Sequence, residues 1–304
     1  FLMTEINSYV DLKWLSVIEK FRHEAKENDD ARDAGLNPYP ENVDRFDNIR
    51  YGDHGDDNLL DLYRPHRYQG KLPVIVHVHG GGYVYGTKET YQFYGLAMAR
   101  MGFAFINFNY RKAPEVEYPS ELRETNRVFH WLVQHADKYD LDLNNVFIAG
   151  DSAGAQMAEQ YLVMYTNPEY AQLLEMQMPD LKLKAGLLNC GCYFLERQLA
   201  QPSVLDAYFT GHARSLHPHD LKVEDYITKD FLPVFVMTAN QDFLHDTAVR
   251  FDQYLLDRKI PHEFRSYGDS QHPRSHVFHV NQKDPEIAAR CNADEIDFLR
   301  RFID

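Results

Sequence analysis

From Pro73 onward, short runs of mainly apolar residues alternate with longer stretches in which apolar positions recur every three or four residues. The runs lie at 74–79, 103–108, 146–149, 183–188 and 233–237, and each is rich in Val, Ile, Leu or Phe. Runs of this kind predict strands buried on both faces. A further strand is predicted at 59–63, ended by Pro65, and another near 262–267. The intervening spacing predicts helices at about 90–101, 120–138, 152–165, 246–258 and 285–303. Strands alternating with helices of this length predict an α/β protein, a mainly parallel sheet flanked by helices. Ahead of it, residues 5–27 read as an amphipathic helix with Thr4 as N-cap, and 29–48, with Gly35, Pro38 and Pro40, as loop. Residues 192–231 are too long for a simple crossover and carry no strand pattern, so a helical insertion over the sheet edge is expected there. No internal repeat or low-complexity segment interrupts the pattern.

Composition narrows the class. The chain has 304 residues, 44% hydrophobic and 26% charged, which suits a single domain with an inserted segment. Its 46 acidic against 32 basic residues give a net charge of −14. No cationic face is available to displace counterions from phosphates, so nucleic acid is not an expected partner. Three cysteines (Cys190, Cys192, Cys291) are too few for a disulfide framework. The Cys190-x-Cys192 pair has no second ligand cluster beside it, so buried small side chains are expected rather than a metal or redox site. No apolar run approaches the length of a membrane span, and no signal-peptide pattern is visible, so no membrane association and a cytoplasmic location are expected.

Two glycine-rich turns carry the candidate chemistry. Gly150-Asp151-Ser152-Ala153-Gly154 stands directly between the 146–149 strand and the 152–165 helix. That is the setting of a nucleophile elbow, in which small flanking residues permit a tight bend and the serine hydroxyl emerges at a helix N-terminus. A glycine-rich strand–helix turn with an incidental serine is the alternative. His79-Gly80-Gly81-Gly82 follows the 74–78 strand, and consecutive glycines can aim backbone N–H groups at one spot. Gly81 and Gly82, with Ala153 behind the serine, are assigned to an oxyanion hole. A phosphate loop is disfavoured because no G-K-[ST] follows. His79 is expected to make a structural hydrogen bond.

A serine nucleophile on this fold needs a carboxylate and then a histidine, each beyond a later strand end. Asp242 lies just past the 233–237 strand; its competitor Asp246 begins a helical run and is expected to cap it. Three histidines follow the last strand, His272, His276 and His279, and residue chemistry does not separate them.

The motifs His79-Gly80-Gly81-Gly82-Tyr83, Tyr110-Arg111-Lys112-Ala113-Pro114-Glu115, Gly150-Asp151-Ser152-Ala153-Gly154 and Asp242-Phe243-Leu244-His245-Asp246 give the chain from about residue 59 onward a resemblance to the hormone-sensitive-lipase-like (bacterial family IV) esterases. The resemblance implies an α/β-hydrolase fold with a helical cap from segments 1–45 and 192–231. It selects His276, which precedes Val277-Phe278, as the base, carries the acid role to Asp242 and the oxyanion role to Gly81, Gly82 and Ala153. It further implies acyl-enzyme hydrolysis of small carboxylic esters with no metal or organic cofactor, and a homodimer as one oligomeric option. An amidase or formamidase with the same triad, or a non-catalytic ligand-binding protein, are the rival functions. Substrate contact is expected from Tyr83, Asp151, Tyr193, Phe194, Tyr208 and Phe209, with cap packing the competing role for the aromatics. Two departures stand out: Ala155 where a further glycine is usual, and Lys112 in place of an apolar residue.

Overall fold

The computed structural model describes residues 5–304. In chain order its strands are β1 (Val43–Arg50), β2 (Leu59–Pro65), β3 (Leu72–Val78), β4 (Ala104–Phe108), β5 (Leu141–Asp151), β6 (Leu183–Asn189), β7 (Val234–Ala239) and β8 (His262–Tyr267). Its helices are α1 (Lys13–Asp33), α2 (Gln92–Arg100), α3 (Ser120–His135), α4 (Ala153–Thr166), α5 (Pro168–Leu173), α6 (Leu195–Gln198), α7 (Gly211–Leu216), α8 (His245–Asp257) and α9 (Ile287–Arg300). All eight strands join one sheet in the order β1-β2-β4-β3-β5-β6-β7-β8. β1 and β2 run antiparallel to their neighbours, and the remaining pairings are parallel.

The alternation of side chains along each strand divides the interior into two layers. Val74, Val76 and Val78 of β3 and Val146 and Ile148 of β5 face one layer, closed by α3, α4 and α8. Ile75, Phe147 and Ala149 face the other, closed by α2 and α9. Strands covered on both faces favour apolar residues on both sides, which is why mainly apolar runs mark them, with buried polar exceptions such as His77 and Asn107. The three cysteines are buried and unpaired. Among the described residues no helix is long and apolar enough to cross a membrane.

Two expectations need correction at the N-terminal side. Of the predicted loop at 29–48, residues 34–42 are loop, but 29–33 complete α1 and 43–48 belong to β1. α1 begins at Lys13, later than the expected 5–27 helix, with the Asp11 carboxylate accepting the Lys13 N–H at 3.1 Å; Thr4, the expected cap, lies outside the described residues. The helix runs on to Asp33 through a polar stretch held by helix-forming residues and by pairs such as Lys26–Asp30 at 2.6 Å. β1 is an edge strand, largely solvent-facing, so it lacks the apolar alternation that reveals buried strands. A bulge near Asn48, whose N–H donates to Asp61 Oδ1 at 2.8 Å, interrupts its register further.

Residues 192–231 form short helical turns without a strand, and both they and α1 meet the loops that follow β3 and β4. Arg22 of α1 donates to the carbonyls of Val84 (2.7 Å) and Ala113 (2.8 Å), and Tyr9 stacks on His212 at 3.6 Å. Tyr118 N–H donates to Tyr208 O at 2.9 Å. These contacts tie both segments down over the C-terminal ends of the parallel strands.

Candidate active site

β5 ends in a bend at Ser152, whose backbone sits at φ +57°, ψ −116°. A non-glycine residue there is strained by about 1–3 kcal/mol, and neighbouring contacts hold it in place. Ser152 N–H donates to Asn189 O at 2.8 Å, and α4 starts at the next residue. The bend brings α4 so close to β3 that a Cβ at position 154 would run into the Val78 carbonyl oxygen; only glycine fits. The serine hydroxyl is thereby carried to the N-terminus of a 14-residue helix, where the backbone dipole favours developing negative charge.

Opposite the bend, residues 79–86 fold back on themselves, with the Val84 and Tyr85 N–H groups both donating to Gly81 O, at 3.1 and 3.0 Å. Gly81 takes φ +121°, a value that side-chain-bearing residues rarely adopt. Among the described residues, the amides of Gly81, Gly82 and Ala153 donate to no protein acceptor. His79 is buried, pairs through Nδ1 with Gly80 O at 2.7 Å and stacks on Tyr110 at 4.0 Å. Burial, reinforced by the Lys112 charge, holds its imidazole well below the ordinary value, so it is neutral and supports the loop.

His276 Nε2 lies 2.9 Å from Ser152 Oγ, and His276 Nδ1 lies 2.6 Å from Asp242 Oδ1. The His276 loop returns to the end of β7 because Gln241 bridges to Ser275 and Gln241 N–H donates to Arg274 O at 3.0 Å. Asp242 also accepts from Thr238 Oγ1 (2.8 Å) and from Leu244 N–H (3.0 Å). Burial alone would push its carboxyl up, but the His276 hydrogen bond and charge, with the Leu244 and Thr238 donors, hold it below its ordinary value. Asp246 stands exposed in the first turn of α8, where its charge suits the helix dipole, but it makes no capping hydrogen bond. His272 is exposed, and His279 is fully buried.

The residues expected to touch substrate sit deeper than anticipated. Asp151 is fully buried beneath the bend with both oxygens engaged, by His77 Nε2 at 2.6 Å and His279 Nε2 at 2.7 Å, so it has no oxygen to offer a substrate. Tyr193 stacks on Phe251 at 4.2 Å and Phe194 packs on Tyr254 at 5.8 Å, which places both against α8. Tyr83 and Tyr208 stack at 5.0 Å with Phe209 edge-on, a buried block joining the 79–86 loop to the inserted segment. The open space lies elsewhere. A cavity of about 630 Å³ beside His276 is lined by Asn28, Arg32, Arg274, Asn281 and Lys283 among others. Phe243, 75% exposed with its ring 4.3 Å from that of His276, stands nearby. Phe243, Thr238 and His77 were given no role from the sequence, and Cys190 was expected only as a buried small side chain. The signal available for His77 was a lone histidine inside the apolar 74–78 run.

Among the described residues, three metal-capable side chains gather here: Cys190, Asp242 and His276 have ligand atoms within 4.8 Å of one another. Burial and the Asp242 charge push the Cys190 thiol up, so it keeps its proton, and a thiol is a poor ligand where a thiolate is a good one. The arrangement instead suits proton transfer from a hydroxyl, through an oriented imidazole, beside unspent backbone donors.

Comparisons with known proteins bear on the family and the fold. An acetyl esterase of Salmonella schwarzengrund (strain CVM19633) is 27% identical over 224 residues, 67% of this chain and 65% of that relative, so the match spans just under two thirds of the relative's length. Esterase B from Lactobacillus rhamnosis (HN001) superposes with a TM-score of 0.86 at 20% identity, covering 95% of each chain. The same enzyme, in a structure described as tributyrin phosphonate inhibited, gives 0.86 at 20% identity over 96% of each chain. The family model described as alpha/beta hydrolase fold matches residues 75–276, which run from β3 to His276 itself. The protein belongs to the alpha/beta hydrolase fold family.

Proposed function

We propose that the protein is a serine carboxylesterase that hydrolyses small esters through an acyl-enzyme. One observation carries the reading: a continuous Asp242–His276–Ser152 relay, with links of 2.6 and 2.9 Å, ends beside the undonated amides of Gly81, Gly82 and Ala153. His276 Nε2 takes the Ser152 proton as Oγ adds to the ester carbonyl, and the oxygen gains its negative charge among the three amides. The protonated imidazole, steadied by Asp242, then gives that proton to the departing alkoxide. Water repeats the sequence on the acyl-enzyme, its proton going to His276, and releases the carboxylic acid and Ser152. The buried Tyr83–Tyr208–Phe209 block packs the 79–86 loop against the inserted segment, and short acyl chains are the preference we assign. The Salmonella relative is named for acetyl esters, and that supports the same preference.

The test is a series of p-nitrophenyl esters with the amide matching the shortest one. The acetate and butyrate should exceed the octanoate in kcat/KM by about tenfold or more, as a few unplaced methylenes dictate. Faster turnover of the amide than of its ester would overturn the ester reading. Gly81→Ala examines the amide pocket separately. Its Cβ would collide with the Tyr85 carbonyl and shift the donor, so kcat should fall about 100-fold, the effect of losing roughly 3 kcal/mol of oxyanion stabilisation. A kcat within threefold of the unsubstituted protein would remove Gly81 from that role.

A further inference from the structure

Beneath the Ser152–His276 contact lies a second link between the same two segments. Asp151 and Ser152 are consecutive at the end of β5, and His276 and His279 stand one turn apart on the loop leading into α9. Ser152 meets His276 at 2.9 Å, and Asp151 meets His279 at 2.7 Å. The outer link joins a hydroxyl to an imidazole. The inner one joins a carboxylate to an imidazole in full burial, a charge-assisted bond of the stronger kind. Asp151 is anchored further, because its other oxygen holds His77 Nε2 of β3 at 2.6 Å and His77 Nδ1 lies 3.0 Å from Asn107 Oδ1 of β4. Burial would raise the Asp151 carboxyl, but the two imidazoles reverse this and keep it well below the carboxylate range. Burial works to lower His279, yet the Asp151 charge and hydrogen bond raise it.

Between the two histidines, Val277 is held at φ +51°, an outlying conformation for a β-branched residue. Strain of this kind persists only where both ends of the segment are held. His276 is tied to Asp242 on one side of Val277 and His279 to Asp151 on the other, while Val277 N–H faces Cys190 Sγ at 3.4 Å. An apolar side chain at position 279 would fill the same volume without ordering this turn. We propose that the Asp151–His279 pair is a positioning clamp, which sets the reach of His276 to Ser152 by fastening the bend after β5 to the histidine turn. The proposal rests on Ser152 and His276 being the nucleophile and base. Asp151 and His279 touch neither substrate nor reacting atoms and act through their neighbours.

Three substitutions separate positioning from packing. His279→Leu keeps bulk and loses the donor; His279→Gln places an amide N–H near the position of Nε2; His279→Asn is too short to reach Asp151. With p-nitrophenyl acetate, His279→Leu and His279→Asn should lose roughly 10- to 100-fold in kcat, the scale of a misplaced catalytic group, with KM changed less than threefold. His279→Gln should recover kcat to within about fivefold of the unsubstituted protein. A folded His279→Leu, judged by its thermal melt, with kcat within twofold of the unsubstituted protein overturns the clamp. If His279→Leu does not fold, the Gln and Asn variants decide: kcat values within twofold of each other overturn it, and a tenfold advantage for Gln supports it. Ser152→Ala is assayed alongside. Turnover retained there would instead defeat the nucleophile assignment, which keeps the two failures apart.

Discussion

Replacing Ser152 with alanine is expected to lower kcat for p-nitrophenyl acetate by about 10^6-fold, to the level that binding and the amide pocket alone sustain. The proposed chemistry has no other route, because the imidazole at 2.9 Å would have no hydroxyl to deprotonate. Alanine is as poorly suited as serine to φ +57°, so the thermal melt should stay within about 2 °C of the unsubstituted protein. Ser152→Gly provides a second readout. It should be equally inactive but more stable by about 1 kcal/mol, the backbone strain relieved less the entropy glycine adds to the unfolded chain. An inactive yet stabilised glycine variant would tie the strain at the bend to presentation of the hydroxyl. An alanine variant with more than about 1% of the original kcat would mean that Ser152 is not the nucleophile.

What the sequence made legible follows from burial. β3, β5, β6 and β7 lie inside the sheet with both faces covered, so each carries a mainly apolar run, broken at single positions such as His77 and Lys184. Ser152 was legible because a tight strand–helix bend demands small residues at fixed spacing, and Gly150 and Gly154 supply them. β1 was not, because an edge strand is half solvated and its Asp, Arg and Asn residues read as loop. The three histidines after β8 could not be ranked from their chemistry. What separates them is the return of the 268–278 loop to Asn240 and Gln241, a long-range contact without periodicity. Asp151 illustrates the opposite error. Standing next to the nucleophile it looked placed for substrate, whereas consecutive residues at a strand end point to opposite sides, and it faces the interior.

Asp242→Asn is expected to cost about 10^4-fold in kcat with KM changed only a few fold. The carboxylate now accepts from His276 Nδ1, Leu244 N–H and Thr238 Oγ1. In the amide, one oxygen can still serve His276 and Leu244, and the Thr238 hydroxyl can rotate to accept from Nδ2. The side chain therefore fits, and the loss comes from the missing charge opposite an imidazolium and from the weakened hold on its tautomer. The pH dependence has a definite sign. The folded-state Asp242 carboxyl lies below its ordinary value, so its contribution is fully present above the ordinary carboxylate range and is lost as pH falls through the depressed folded value. Between about pH 5 and 8 it stays ionised, so its own titration should not shape the rate of the unsubstituted protein in that window. Because the relay acts as a unit, adding Asp242→Asn to Ser152→Ala should reduce the residual rate no further. Asp246→Asn, at an exposed position on the first turn of α8, should retain full activity. A deficit below tenfold in Asp242→Asn, or a comparable one in Asp246→Asn, would move the acid role away from Asp242.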